Sequence, residues 1–273
     1  MLIKSTWLKK KLNNKNVKII DASWYLPNSK RDAYREFRNN HIKNAVFFNI
    51  DKICDDNNSL PHMLPSKRKF EIEVSKLGIN NYDTLIIYCN TGVLSSPRVW
   101  WTFYLFGHKK VYVLDGGLKA WKISGGVLTN HNNKFIKSNY KCKNMKKNLV
   151  ISYSNLTSIL NNNNLQLTIL DARPILRFLK IEDEPRNNIG KGTIPNSVNY
   201  PQTLFDTNGF LKSKKKIREI LKNPINKNDL IVCSCGSGIA ACNIAFSLQY
   251  IGNQNWTLYD GSWTEWYLKK KIS

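Results

Sequence analysis

The 273-residue sequence has no apolar stretch approaching the ~18 consecutive residues that a membrane-spanning helix needs. Its lysine-rich start, residues 1–16, is not followed by the apolar segment of a secretory signal. An organelle presequence is not favoured either, because Val17–Asp21 already has the pattern of a first strand. We therefore expect a cytoplasmic protein with no membrane partner.

Acidic side chains are scarce: 19 Asp and Glu stand against 42 Lys and Arg, which gives a formal net charge of +23. Such a charge suits an anionic partner, either nucleic acid or an anionic substrate. The lysines are nevertheless scattered, in runs such as residues 212–216, rather than gathered in a recognition motif. We predict that the excess is compositional and that nucleic acid is not the main partner, although the charge can steer small anions.

The six cysteines lack the spacing of a disulfide framework, which favours a reduced, cytosolic setting. Cys233 and Cys235 form a C-x-C pair, but no second pair or histidine cluster has zinc spacing. We therefore predict no metal site.

One loop stands out. An apolar run at residues 229–233 is typical of a buried strand, and apolar residues recur at helical spacing after residue 240. A strand, a glycine-bearing loop and a helix N-terminus form a ring of backbone N–H donors that favours negative charge. A cysteine there is held as the reactive thiolate, whereas the simpler alternative is a buried structural cysteine. The loop consists of Cys235, Gly236, Ser237, Gly238, Ile239 and Ala240.

The chain repeats one plan at an offset of about 150 residues. Alternating apolar strands and helical patterns predict the α/β class, with two tandem domains that each have a mainly parallel sheet flanked by helices. We place the domains at 1–135 and 149–273, and the polar, basic segment 123–148 is predicted to be a linker. The matching segments are 17–22 with 167–172, 41–46 with 193–198, 85–89 with 231–235, and 113–117 with 258–262.

These residues resemble the two-domain rhodanese superfamily, and specifically its 3-mercaptopyruvate sulfurtransferases, over almost the whole chain. The loop is the most specific element: the family carries Cys-Gly-Ser-Gly-Val-Thr, and this chain differs only at Ile239 and Ala240. The other motifs that carry the resemblance are the segments 47–51, 61–65, 96–101, 114–118 and 259–263.

The resemblance implies that the second domain is catalytic and that the first has no active site of its own. Cys89 stands at the first-domain position equivalent to Cys235, where relatives often have an acidic residue. It lacks the glycine that follows Cys235, and we predict a buried, inert thiol there.

The residues after Cys235 also distinguish donors. Thiosulfate-using relatives place Arg and Lys there, and the uncharged Gly236 and Ser237 favour 3-mercaptopyruvate instead. Related phosphatases need C-x5-R to hold a phosphate. Ala241 and Ser95 stand at the arginine positions after the two cysteines, so a phosphatase is excluded.

The implied mechanism passes sulfur through a Cys235 persulfide to a small thiol, a thioredoxin-like reductant or cyanide, with release of pyruvate and no cofactor. Arg177 and Arg186 match the family's substrate-binding arginines, although surface ion pairs with Glu182, Asp183 or Glu184 are the alternative. The loop residues Gly236, Gly238, Ile239 and Ala240 are expected to line the substrate site.

A serine–histidine–aspartate relay implied by the resemblance consists of Ser237, His62 and Asp51. Because the last two precede residue 135, we expect the site at the domain interface. Two other functions stay open: a thiosulfate:cyanide sulfurtransferase, and a sulfur-carrier module whose basic surface docks a tRNA- or protein-thiolating partner.

Overall fold

The computed structural model describes residues 1–91, 94–131, 135–162, 166–200, 204, 209–223, 225 and 229–272. Its contacts divide the chain into two compact units. Unit 1 consists of residues 1–57, 64–146 and 207–211, and unit 2 of residues 58–63, 147–206 and 212–273. His62 therefore belongs to unit 2 by its contacts.

Each unit alternates strands and helices. The elements of unit 1 are β1 (Leu2–Ile3), α1 (Ser5–Lys11), β2 (Val17–Asp21), α2 (Ala33–Asn39), β3 (His41–Ile42), β4 (Ala45–Phe47), α3 (Lys67–Lys76), β5 (Thr84–Tyr88), α4 (Ser96–Leu105), β6 (Val111–Leu114), α5 (Gly117–Ile123) and β7 (Leu128–Thr129). Those of unit 2 are a 3₁₀ turn (Lys147–Leu149), β8 (Val150–Ile151), α6 (Tyr153–Leu160), β9 (Leu167–Asp171), α7 (Ile175–Phe178), β10 (Ser197–Asn199), α8 (Lys214–Leu221), β11 (Leu230–Ser234), α9 (Ala241–Ile251), β12 (Trp256–Tyr259) and α10 (Ser262–Ile272). In the described part of the chain, no helix combines the length and apolar character needed to span a bilayer.

The two main sheets share one topology. The sheet of unit 1 has five parallel strands in the order β1-β6-β5-β2-β4, and that of unit 2 has five in the order β8-β12-β11-β9-β10. The second order repeats the first, strand for strand. The predicted α/β class with two similar sheets is confirmed, and a short antiparallel pair, β3 with β7, adds to unit 1.

The apolar runs in the sequence are continuous rather than alternating because they form the central strands of parallel sheets, which are covered on both faces. Ile86 and Ile87 of β5 are fully buried, as are Ile231 and Val232 of β11. The carboxyl ends of β5 and β11 are followed directly by Cys89 and Cys235.

The segment predicted as a linker differs in the structure. Tyr140 is 1% exposed and stacks on His108, and the edge of Phe70 meets its ring. The backbone N–H groups of Lys143 and Lys146 donate to carbonyls at the end of α4 and just after it. Residues 135–146 therefore pack along unit 1 where they are described. The sequence of this segment is dominated by lysines and asparagines, but its buried Tyr140 ring anchors it to unit 1.

Candidate active site

Cys235 lies in the first position after β11, in the loop that leads to α9. Its side chain is buried, with the residue only 2% exposed. The backbone N–H of Gly238 donates to Cys235 Sγ at 3.1 Å. Gly238 has φ 80°, in the left-handed region that glycine adopts at no steric cost, and this conformation belongs to the turn that directs its N–H at the sulfur. The loop thus places a backbone donor where a negative charge on sulfur would be stabilised.

Ser262, which the sequence reasoning missed, supports the same cysteine from the start of α10. Its hydroxyl oxygen accepts the Cys235 N–H at 3.1 Å and lies 3.9 Å from Cys235 Sγ. The hydroxyl also donates to the Tyr259 carbonyl at 2.9 Å. Ser262 is fully buried and has φ 52°, a conformation that L side chains rarely adopt. The sequence repeat could have singled out Ser262, because this serine occupies the position that glycine, Gly117, has in unit 1.

The first turn of α10 holds the loop backbone. The N–H of Trp263 donates to the Cys235 carbonyl at 2.9 Å, and the N–H of Thr264 donates to the Gly236 carbonyl at 3.0 Å. The Thr264 hydroxyl donates to the same Gly236 oxygen at 2.7 Å. The first N–H groups of a helix have no partner inside it, so these bonds satisfy them and pin two consecutive loop carbonyls.

The remaining loop residues lie where the strand–loop–helix prediction places them. Ser237 and Ile239 are buried, at 6% and 4% exposed. Ala240 is the residue before α9, and its carbonyl accepts the Asn243 N–H at 3.0 Å. The loop side chains next to Cys235 therefore carry no formal charge.

A charged cluster lies beside this loop. Arg173 is buried and binds Asp171 through both Nε and Nη2, at 2.8–3.2 Å to the carboxylate oxygens. Arg173 Nη1 also donates to Glu184 Oε1 at 2.6 Å, and Glu184 Oε2 lies 3.6 Å from Arg177 Nη1. Burial alone would lower the pKa of Arg173, but hydrogen bonds and the charges of both carboxylates outweigh it and raise that pKa.

This cluster decides part of the open question about Arg177. The carboxylate nearest to Arg177 is Glu184, one of the three acids considered from sequence, while Asp183 pairs with Lys191 at 3.3 Å. The Arg177 side chain is 15% exposed, so it is neither a free surface charge nor fully enclosed. Sequence reasoning did not find Arg173, because an arginine two residues after a strand has no distinguishing pattern by itself.

Arg186 contacts a histidine. Its Nη2 lies 2.9 Å from His62 Nε2. A guanidinium can only donate, so His62 Nε2 accepts and the proton of the neutral ring is on Nδ1. His62 is 6% exposed and has φ 62°. The structure thus brings together two of the predicted site residues, in unit 2.

Asp51 lies in unit 1, four residues after the end of β4. Its carboxylate oxygens accept from Trp24 Nε1 at 3.1 and 3.2 Å. The carboxylate lines a cavity of about 380 Å³ together with Trp24, Tyr25 and Arg31. The predicted relay of Ser237, His62 and Asp51 stays a prediction.

Cys89 is fully buried at the end of β5. The next residue, Asn90, donates its backbone N–H to Ser23 Oγ at 2.9 Å and its side-chain amide to Glu36 Oε2 at 2.6 Å. Arg31 binds the same Glu36 carboxylate with two bonds of 2.7 Å and lowers the pKa of Glu36 to about 2. In unit 1 the residue after the cysteine is therefore a hydrogen-bonding side chain.

Comparison with known proteins places this site in a family. The model of the rhodanese-like domain matches residues 4–124 and 152–269. A 3-mercaptopyruvate sulfurtransferase of Mus musculus is 34% identical over 276 residues, covering 98% of this chain and 92% of that protein. The mitochondrial thiosulfate/3-mercaptopyruvate sulfurtransferase 1 of Arabidopsis thaliana is 35% identical, covering 95% of this chain and 74% of that protein.

Among solved structures, the crystal structure of the Tum1 protein from Saccharomyces cerevisiae is similar with a TM-score of 0.90 and 30% identity, over 98% of this chain and 95% of that one. The chain is thus a tandem rhodanese-fold protein with a cysteine at the end of a parallel strand. It belongs to the rhodanese family, in its two-domain sulfurtransferase form, and the resemblance found in the sequence is confirmed.

Proposed function

We propose that this protein moves sulfur from 3-mercaptopyruvate through a persulfide on Cys235 to a thiol acceptor and releases pyruvate. The observation that carries the proposal is the loop. A buried sulfur receives the Gly238 N–H at 3.1 Å, while the residues after it, Gly236 and Ser237, carry no charge. This arrangement suits a donor whose reacting end is neutral and whose carboxylate is bound elsewhere.

In the proposed reaction the Cys235 thiolate attacks the donor sulfur. A sulfur–sulfur bond forms and the carbon–sulfur bond of the donor breaks, so its electron pair leaves with carbon as the pyruvate enolate. The enolate then takes a proton, which we assign to Ser237, His62 and Asp51 acting as a relay. A second thiolate attacks the outer sulfur of the persulfide and regenerates Cys235. No cofactor or metal takes part in these steps.

Arg177 and Arg186 are the proposed ligands of the donor's carboxylate and ketone. A guanidinium suits a carboxylate because its N–H groups form a planar fork. The 2.9 Å contact between Arg186 Nη2 and His62 Nε2 supports this assignment, since it brings the proposed substrate arginine next to the proposed proton carrier.

The acceptor is proposed to be a small thiol or a thioredoxin-like reductant in the cytoplasm. No disulfide joins the six cysteines, all of which lie in the described part of the chain. Reduced thiols support a compartment that is rich in acceptor thiols.

Thiosulfate is the second candidate donor, favoured by the arginines near the loop and by the net charge of +23. The assay that separates the two compares kcat/KM for 3-mercaptopyruvate and for thiosulfate with one common thiol acceptor. We expect 3-mercaptopyruvate to be preferred by more than about tenfold, which corresponds to ~1.4 kcal/mol of transition-state binding. A preference for thiosulfate would overturn the donor assignment.

The nucleophile is tested with a matched pair of variants. Cys235→Ser should abolish pyruvate formation from 3-mercaptopyruvate, whereas Cys89→Ser, at the equivalent place in unit 1, should retain it. Turnover by Cys235→Ser would contradict the persulfide route. Salt-sensitive RNA binding that changes sulfur transfer would instead support the carrier-module alternative.

A further inference from the structure

Glu184 faces the residue that follows the cysteine. If a Cβ atom is built on Gly236, it meets Glu184 Oε2 at 3.8 Å. The Glu184 side chain is only 4% exposed, so this carboxylate is buried beside the loop and is not a surface charge. Its second oxygen, Oε1, is taken by Arg173 at 2.6 Å.

Arg173, which binds Glu184, is itself held by several contacts. Arg173 is held by Asp171 on one side and by the Gly192 carbonyl, 2.9 Å from Nη2, on the other. Its guanidinium also lies 5.1 Å from the ring of Trp263. Since the arginine side chain is fully buried, Glu184 Oε1 has a fixed partner and Oε2 is directed toward Arg177 and Gly236.

The other half of the chain shows what a side chain after the cysteine does. Register places Asp21 opposite Tyr88 and Asp171 opposite Ser234, so Asn90 and Gly236 occupy equivalent positions. Asn90 donates its amide to a carboxylate, Glu36 Oε2, at 2.6 Å.

In both units an acid therefore lies beside the residue that follows the cysteine. In unit 1 that residue binds the acid directly. In unit 2 glycine leaves Glu184 Oε2 beside Arg177, at 3.6 Å from its Nη1.

We infer that Glu184 is a positioning residue, which orients the Arg177 guanidinium for the carboxylate of the donor, and that glycine at position 236 keeps Glu184 available for this role. The inference rests on the proposed function in one respect, the assignment of Arg177 to donor binding. The cluster contains two carboxylates and two guanidinium groups, so their formal charges cancel. Arg177 is held by Glu184, and its remaining N–H groups can still bind an anion.

The test is Glu184→Gln, with Glu36→Gln as the matched control in unit 1. Glutamine keeps the shape and can still bond Arg173, but it removes the charge that orients Arg177. We expect the KM for 3-mercaptopyruvate to rise about tenfold with kcat within about threefold, since ~1.4 kcal/mol of ground-state binding would be lost. Glu36→Gln should leave both constants unchanged.

A coupling measurement separates positioning from general destabilisation. If Glu184 acts through Arg177, then Glu184→Gln and Arg177→Lys together should raise KM no more than Arg177→Lys alone. Gly236→Asn, which imitates Asn90, should raise KM in the native background and have little further effect in Glu184→Gln. Additive KM effects, or an unchanged KM in Glu184→Gln, would overturn the inference.

Pyruvate binding, measured by calorimetry, provides a readout that does not depend on turnover. The inference predicts about tenfold weaker pyruvate binding by Glu184→Gln than by the native protein, and equal binding by Glu36→Gln. A native protein that binds pyruvate but transfers no sulfur from 3-mercaptopyruvate would overturn the proposed function while this comparison still decides the role of Glu184.

Discussion

At the scale of single residues, Ser262 combines a strained backbone conformation with a hydrogen bond to Cys235. Its φ of 52° is close to the 55° of Gly117, the glycine at the equivalent place in unit 1. A left-handed conformation costs a non-glycine residue about 1–2 kcal/mol. The chain keeps a serine there, and its hydroxyl accepts the Cys235 N–H.

We predict that Ser262→Gly separates these two effects. Strain is relieved, but the buried Cys235 N–H loses its partner at a cost of about 1–3 kcal/mol, so the free energy of unfolding should change little. The rate constant kcat should fall about tenfold, since the backbone that carries the proposed nucleophile loses a fixed contact. Chemical denaturation and steady-state assays measure the two quantities. The reverse change in unit 1, Gly117→Ser, should leave kcat unaltered, and an unchanged kcat in Ser262→Gly would contradict this view of Ser262.

The residues that could be predicted from sequence are those with a local pattern. Cys235 directly follows a strand and is followed by two glycines and a helix, and its place in the fold follows from that pattern alone. Arg173 and Glu184 are separated by eleven positions, and their 2.6 Å contact depends on how α7 and the loop after it fold back. A charged residue in such a segment has the same sequence appearance whether it is exposed or buried, so tertiary contacts were needed to find this pair.

At the scale of elements, α9 follows the Cys235 loop and has a glycine with positive φ before its start and another at its end. Gly238 has φ 80° before α9, and Gly252 has φ 92° as its C-cap, where its N–H bonds to the carbonyls of the last turn. Both positions favour glycine for the same steric reason. They differ in function, because the Gly238 N–H donates to Cys235 Sγ.

This difference predicts different outcomes for the same substitution. Gly252→Ala and Gly238→Ala should each lower the free energy of unfolding by about 1–2 kcal/mol, the cost of a left-handed alanine. Only Gly238→Ala should also lower kcat/KM, by at least about tenfold, because relaxing φ turns its N–H away from the sulfur. Equal activity in the two variants would mean that the Gly238 contact does not serve the reaction. Urea denaturation with a parallel assay on each variant provides both numbers.

The order of elements was predictable because each apolar run and helical pattern occurs twice. Pro97 lies in the first turn of α4, where the N–H that proline lacks would have no partner within the helix. The path of residues 135–146 was not predictable. Composition there indicates exposed chain, and only the burial of Tyr140 and the bonds of Lys143 and Lys146 to the end of α4 reveal a packed segment.

At the scale of the whole molecule, one backbone plan surrounds two equivalent cysteines with different residues. The sheets share a strand order, and the turns after β5 and β11 begin with a cysteine in both units. The differences are concentrated in the residues around that cysteine. Asn90, Ser23 and Gly117 in unit 1 correspond to Gly236, Arg173 and Ser262 in unit 2. Gly236 leaves space beside Glu184, Arg173 binds Glu184, and Ser262 accepts the Cys235 N–H. Duplication thus supplies an internal reference for the variants of Cys235, Glu184 and Ser262 proposed above.

Unit 1 also contains a buried histidine that makes the stability of the molecule depend on pH. His108 is buried among aromatic rings, with Nε2 at 2.9 Å from the Asp83 carbonyl and Nδ1 at 3.2 Å from the Tyr140 hydroxyl. Burial, reinforced by the charge of Lys110, lowers the pKa of His108 below 6.5, although the bond to Asp83 and its charge oppose the shift. The unfolded chain therefore binds a proton at a higher pH than the folded chain does.

The sign of the effect follows from this difference. The free energy of unfolding should be highest above the unfolded histidine pKa of about 6.5 and should fall as the pH drops through that value, until the folded His108 is also protonated. Urea denaturation between pH 5 and 8 measures the slope. Glu36, with its pKa of about 2, stays ionised throughout this range and does not contribute. His108→Gln should flatten the slope, whereas His131→Gln, at an exposed histidine, should not. If both variants keep the native slope, another group controls the stability of the protein in this range, and the buried ring of His108 is not the one that titrates.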